Sequence, residues 1–254
     1  ISPQSVAVFQ AATAAMDTAD FELCIYKFNE VLTKAPNFDA AMRRQGHCLI
    51  GAGKRDDGYK AIQKAIDLNR SADNLFSMAM ARLNPGTTNY VPPEAEMQKA
   101  LDLATEASKL YGGKELDALL VIADLSLRVN QLERFKTTVG QLKTSFPDDP
   151  YTHYFNAIKL AEERNFDQAL AEVKSAESLG LNADEAESLN TGIKEMRNEA
   201  YPLAPYLIYI YIFLALVAIW ALGLLILYLL GRTLSAKTLA PIESSAPDDV
   251  TGGG

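Results

Sequence analysis

Histidine, cysteine and tryptophan are almost missing from this chain, with two, two and one among 254 residues. His47 and His153 show no HExxH spacing, no neighbouring ligand cluster and no adjacent nucleophile, which removes the common zinc-hydrolase and nucleophile–histidine arrangements. We read no catalytic, metal-binding or cofactor-binding residue from it. An excess of positive charge is lacking too: 24 Lys and Arg stand against 32 Asp and Glu, a net charge of −8. Within residues 1–202 the balance is 22 − 29 = −7. An acidic surface repels polyanions, so nucleic acid and anionic lipid headgroups are excluded as main partners. The stretch Gly46–Lys54, GHCLIGAGK, lacks the lysine a phosphate loop needs directly after its second glycine, where Ala52 stands. Asn69-Arg70-Ser71 is a glycosylation signal only in a eukaryotic secretory setting. Cys24 and Cys48 both fall at packed positions of predicted helices, a pattern that favours two small core hydrophobes over a disulfide or a metal pair.

What is present is repetition. Asp20–Pro36, DFELCIYKFNEVLTKAP, is echoed near residues 53–69 and again near 165–180. Aligned on small and aromatic positions, five units begin near residues 5, 39, 73, 116 and 150, so three spacings are 34 residues and one is 43. A fixed period of this size is the signature of a stacked array, in which each unit buries its apolar stripe against its neighbours.

The second unit has Gly46, Gly58 and Ala65 at its positions 8, 20 and 27; the fifth has Ala157, Ala169 and Ala176. The first has Ala12, Cys24 and Val31, with Pro36 at position 32. These residues resemble the tetratricopeptide family over roughly residues 5–183, where small side chains mark the closest approach of two antiparallel helices. The resemblance implies an all-α solenoid of about five helical hairpins. The fourth unit departs from it, with Ala123 followed by Phe135 and Leu142, and larger groups there should push its helices apart. In the third unit the nine extra residues (43 − 34) belong to NPGTTNYVPPE, Asn84–Glu94, a loop by its Pro and Gly density. Ala100, Ala104 and Ala107 then line a second helix that stops near Gly112-Gly113. Ala183–Glu199 is predicted to cap the array, with Leu189, Ile193 and Met196 covering the fifth unit.

In this family the first helices of successive units line a concave groove. The resemblance implies that the groove here presents Phe9, Gln10 and Thr13; Arg43, Arg44 and His47; Ser77 and Met78; Leu120, Val121 and Asp124; and Tyr151, Tyr154 and Phe155. Arg43, Arg44 and His47 lie within about one helical turn, suited to a carboxylate or an acidic segment, or alternatively a solvated helix face. Tyr151, Tyr154 and Phe155 form a stripe that either anchors a peptide or packs on the next unit. The Lys and Asn clamp of chaperone-binding members is not matched, since Phe9, Thr13 and Arg44 stand at the places to check.

A second region begins at Tyr206–Leu230, 25 positions without a charge, long enough at about 1.5 Å per residue to cross a hydrocarbon core of about 30 Å. It is too long and too close to the C-terminus for a signal peptide. Tyr206, Tyr209 and Tyr211 gather at its entry and Tyr228 near its exit, as amphipathic rings do at membrane interfaces. Trp220 sits near its middle, where an indole is either shielded by a neighbouring helix or a bound cofactor, with Gly223 leaving room for close approach, or simply faces lipid in a single-pass anchor. No GxxxG pattern supports self-dimerisation. Lys194 and Arg197 before the span balance Arg232 and Lys237 after it, so charge does not set orientation. A cleaved signal ahead of Ile1 would place the repeats outside the cytoplasm; without one the reading leans to the cytoplasmic side.

The expected organisation is a repeat domain over 1–200, a single transmembrane helix over 203–231 and a flexible polar tail over 232–254, whose Gly252-Gly253-Gly254 hints at a longer chain or an appended end. The expected function is a non-catalytic, membrane-anchored docking scaffold in a membrane complex, with protein partners. Alternatives are the non-catalytic front of a larger membrane enzyme, such as a metallopeptidase, and a tail-anchored peptide receptor.

Overall fold

The computed structural model describes residues 3–84, 86, 90–202 and 206–237, with side chains given from Val6 to Tyr228. Helices α1 (Pro3–Asp17) and α2 (Phe21–Lys34) form the first hairpin, α3 (Asp39–Gly51) and α4 (Arg55–Leu68) the second, α5 (Ala72–Leu83) and α6 (Glu94–Leu110) the third. They are followed by α7 (Leu116–Arg128) with α8 (Leu132–Ser145), α9 (Pro150–Glu162) with α10 (Phe166–Ser178), then α11 (Ala183–Ala200) and α12 (Leu207–Lys237). Among the described residues the secondary structure is helical throughout, and the five hairpins form the helical-hairpin solenoid that the 34-residue spacing predicts.

The turns repeat as faithfully as the helices. Ala19, Gly53, Asn130 and Arg164 all occupy position 15 of their units, and all have positive φ, 56°, 77°, 55° and 61°. After each, one backbone N–H reaches back five residues to the preceding helix: Asp20 to Ala15 at 2.9 Å, Lys54 to Leu49 at 2.8 Å, Gln131 to Ser126 at 2.7 Å, Asn165 to Leu160 at 2.8 Å. This left-handed closure satisfies helix-end carbonyls. Only Gly53 adopts it without the Cβ penalty of about 1–2 kcal/mol. The following helices are capped locally where side chains allow: Asp20 accepts from the Leu23 N–H, and Asp149 from those of Tyr151 and Thr152 with Pro150 in the first turn.

Small residues sit where the hairpins close. A Cβ built on Gly46 would lie 2.8 Å from the Gly58 carbonyl oxygen, and one on Gly58 2.7 Å from that of Gly46. Any side chain at either position forces α3 and α4 apart. In the fifth unit Ala157 and Ala169 play the same part, both fully buried. The fourth unit is looser: α7 and α8 share less close backbone contact than α3 and α4. The added volume is used well, since Phe135 and Leu142 are buried and the Phe135 ring meets Phe155 of the next unit edge to face at 6.2 Å.

In the third unit the inserted residues are shared between the loop and a lengthened α6 of 17 residues, whose Ala100, Ala104 and Ala107 are fully buried. Gly86, at φ +79°, packs so tightly on the Ile50 carbonyl that no Cβ fits. Tyr90 then lies 5.5 Å from the Arg55 guanidinium, which also stacks on Tyr59 at 5.1 Å, so the loop is fastened to unit two. The α6 helix ends ahead of Gly112 and Gly113, both at positive φ.

Two expectations are corrected. Cys24 and Cys48 are not separate core thiols: both are fully buried and joined in a disulfide with Cα atoms 6.1 Å apart. The packing of α2 on α3 brings these two small positions face to face, at a separation suited to the bond. The polar tail does not begin at residue 232, because α12 continues to Lys237. No proline lies between Pro205 and Pro241 to end it, and a lone Gly231 is tolerated inside a helix. The rest of the proposed tail, 238–254, falls outside the described residues, as do 203–205.

By contacts the chain divides into two compact units, Ile1–Arg197 and Asn198–Gly254. At the end of the first, α11 buries Ala186 and Ile193, while Leu189 is half-buried and Met196 is exposed. Tyr151 donates to Glu185 at 3.2 Å, tying α11 to α9. In the second unit, Leu207–Tyr228 of α12 is 22 residues long, apolar all round and uncovered, long and apolar enough to cross a membrane.

Candidate partner-binding groove

The first helices of the hairpins, α1, α3, α5, α7 and α9, carry the expected groove residues, which fall into two groups. In the first, Arg44 donates to the Thr13 hydroxyl at 2.7 Å and its guanidinium stacks on Phe9 at 4.9 Å. Phe9 in turn packs on Phe28 at 5.6 Å and Phe38 at 5.3 Å. Arg43, whose side chain is only 14% exposed, pairs with Asp73 at 3.0 Å and donates to Asn74 Oδ1 at 3.3 Å. Both guanidinium groups thus hold unit to unit. His47, half-buried, has its ring pKa lowered by burial and by the neighbouring Arg43 charge.

Around Arg43 lies a network that residue-type reasoning did not single out. Asn74 is fully buried, and its Nδ2 lies within hydrogen-bonding reach of Asp39 Oδ2 (3.0 Å), the Ala65 carbonyl (3.2 Å) and the Asn69 carbonyl (2.8 Å). Asn69 also donates to Asp39 at 2.8 Å, and Tyr111 to Asp73 at 2.6 Å. Burial works against ionised Asp39, but the bonds from Asn69 and Asn74 outweigh it and hold its carboxyl below the usual range. The Tyr111 hydroxyl bond does the same for Asp73, and burial together with Asp73 pushes the Tyr111 hydroxyl up. A signal was available: Asp39 and Asp73 both open their units, 34 residues apart.

The second group lies on α7 and α9. Leu120 is half-buried beside Leu119, Ala123 and Phe135. Asp124 pairs with Arg128 one helical turn on, accepting from its Nε through Oδ1 at 3.0 Å with Oδ2 2.8 Å away. Tyr154 is half-buried, its hydroxyl pushed up by burial and then by Glu185 and Asp124. Tyr151 is 38% exposed and meets Tyr154 at 6.1 Å, while Phe155 is buried against Phe135. The stripe therefore runs from core to surface, with Tyr151 its solvent-facing end.

On α12, Trp220 is 69% exposed and nothing lies within 4 Å of a Cβ built on Gly223. Among the described residues no group of three or more His, Cys, Asp or Glu is placed to hold a metal ion.

The architecture is that of the tetratricopeptide-type helical solenoid. No family profile matches the chain, and no curated protein matches it in sequence. Solved structures do match in fold. YrrB, described as a tetratricopeptide protein with an unusual peptide-binding site, superposes with a TM-score of 0.56 at 12% identity, over 72% of this chain and 90% of its own. MamA from Desulfovibrio magneticus RS-1 gives 0.56 at 12% identity over 70% and 96%. A thermophilic tetratricopeptide protein of Thermus thermophilus gives 0.52 at 10% identity over 74% and 98%. At these identities the likeness is one of fold.

Proposed function

We propose that this chain is a non-catalytic docking scaffold held at a membrane by α12, an accessory subunit whose solenoid engages protein partners outside the bilayer. The observation that carries the reading is the pairing, in one chain, of a solenoid of the tetratricopeptide type with a fully uncovered apolar helix of membrane-spanning length. Such solenoids act through extended surfaces rather than a reaction centre. In this reading the partner meets the first-helix groove through Phe9, Arg44, His47, Leu120, Asp124, Tyr151 and Tyr154, while Trp220 and Gly223 face a neighbouring membrane helix.

The Cys24–Cys48 disulfide favours an oxidising compartment for the repeats, since cytosolic thiols are kept reduced. We therefore assign the solenoid to the non-cytoplasmic side, against the cytoplasmic lean of the sequence reading. Protease protection in sealed vesicles, with thiol alkylation before and after reduction, tests the side. Mass spectrometry of what co-purifies from native membranes under mild detergent tests the scaffold. Stoichiometric membrane subunits are expected; a monodisperse lone monomer would overturn it.

A further inference from the structure

Aromatic rings in the first three units are met by cations of this chain's own. Arg44 lies 4.9 Å from the Phe9 ring, Arg55 5.1 Å from Tyr59 and 5.5 Å from Tyr90, Arg82 5.8 Å from Tyr59, and Lys27 5.3 Å from Tyr26. The tyrosine pair of α9 differs: among the described residues no Lys or Arg stands over the ring of Tyr151 or Tyr154. The two rings meet at 6.1 Å with their planes 64° apart, so neither is stacked beneath the other, and Tyr151 is 38% exposed.

Carboxylates approach these rings from three elements. Glu185 of α11 accepts from the Tyr151 hydroxyl at 3.2 Å, and Asp149, in the connection before α9, accepts from the Tyr151 N–H at 2.9 Å. Burial, and after it the charges of Glu185 and Asp124, push up the Tyr154 hydroxyl, which puts both carboxylates within electrostatic reach of that ring. The cation felt at Tyr154, Arg128, is taken up by Asp124. Glu185 has a neutral phenol as its partner and, among the described residues, no cation. A ring face attracts a cation through its quadrupole, and a carboxylate beside it adds a charge-assisted hydrogen bond. We propose that this end of the groove is a cation subsite, in which a Lys or Arg side chain from a basic segment of a protein partner lies against Tyr151 and Tyr154 and pairs with Glu185. The acidic balance of residues 1–202, −7, draws such a segment in over a longer range. The choice of a protein partner rests on the scaffold reading and deepens it.

The test is fluorescence anisotropy of a labelled Ser-Gly-Arg-Ser-Lys-Gly-Ser peptide titrated with the full chain in uncharged detergent micelles, against the same peptide carrying citrulline and acetyl-lysine in place of Arg and Lys. Saturable binding of the cationic peptide alone is expected. Tyr151→Leu should weaken it about two- to fivefold, as befits an exposed cation–ring contact, and Glu185→Gln by about as much. Tyr151→Phe breaks the same hydrogen bond between α9 and α11 but keeps the ring and frees the carboxylate, so affinity should hold or rise. Equal losses in Tyr151→Phe and Glu185→Gln would make that bond only structural and overturn the proposal. Arg128→Gln removes a competing cation and should tighten binding about twofold. Equal binding of the two peptides, or binding of the cationic one that none of these variants moves, is attraction to the acidic surface at large and overturns the subsite. Stoichiometric membrane subunits without peptide binding would sink the subsite and leave the scaffold standing; peptide binding by a chain that leaves native membranes as a lone monomer would do the reverse.

Discussion

Units two and four build the same hairpin by opposite means. In unit two, Gly46 and Gly58 let two backbones touch, and the stability of the pair comes from close approach. In unit four, Ala123 faces Phe135 and the helices stand further apart, with the gap filled by Phe135, Val139 and Leu142 and by Phe155 reaching in from unit five. The first solution is intolerant of added atoms and the second of removed ones. The difference extends to charge: unit two uses Arg43 and Arg44 to lock its neighbours, whereas at the junction of units four and five, among the described residues, no cation stands over the Tyr151 or Tyr154 ring.

The comparison breaks most sharply in unit four. Phe135→Ala removes a ring that is 1% exposed and should cost about 3–5 kcal/mol, read as a loss of denaturant midpoint at unchanged slope. Next comes the bond joining unit two to unit one. Cys24 and Cys48 are 24 residues apart, and a loop of that size predicts about 3 kcal/mol lost on reduction. Dithiothreitol should lower Tm, and a Cys24→Ser/Cys48→Ser double variant should show no such sensitivity. Gly58→Ala should cost about 1–3 kcal/mol by overpacking, because the new methyl meets the Gly46 carbonyl and Ile50. Gly140→Ala in unit four meets nothing within 4 Å and should be neutral or stabilising in the same denaturation assay.

The smallest effect is on pH. Burial lowers the His47 pKa below its ordinary 6.5, so the unfolded chain binds a proton more readily than the folded one. Stability then falls as pH drops from about 6.5. The depressed carboxyls of Asp39, Asp73 and Glu96 contribute their losses only at lower pH, below their ordinary 3.8–4.5. A His47→Gln variant should flatten the dependence of Tm on pH just below 6.5 and leave the deeper acid limb in place.

Much of the fold was legible because its signals are local or strictly periodic. Gly46, Gly58, Ala157 and Ala169 mark hairpin contacts by size alone, and the density of Pro and Gly after Leu83 marks the inserted loop. The candidate groove was legible as positions, not as states. Arg43 reads as a free cation until Asp73 and Asn74, one unit on, take it up. The same offset recurs across the solenoid: Arg44 with Thr13, Asn74 with Asp39, Gln131 with Gln98 and Tyr151 with Glu185 stand 31 to 35 residues apart. Each is a contact between neighbouring units, invisible to spacing within a helix.

From the chain alone came the repeat period, the hairpin positions, the insertion and an apolar segment long enough to span a bilayer, since each follows from side-chain size, backbone restriction or hydropathy within a few turns. Tertiary structure decided the pairing of Cys24 with Cys48, the engagement of Arg43 and Arg44 between units, and the meeting of Tyr151 with Glu185 across α9 and α11. Those depend on which faces of stacked helices meet, and that is set by the packing of whole units against one another.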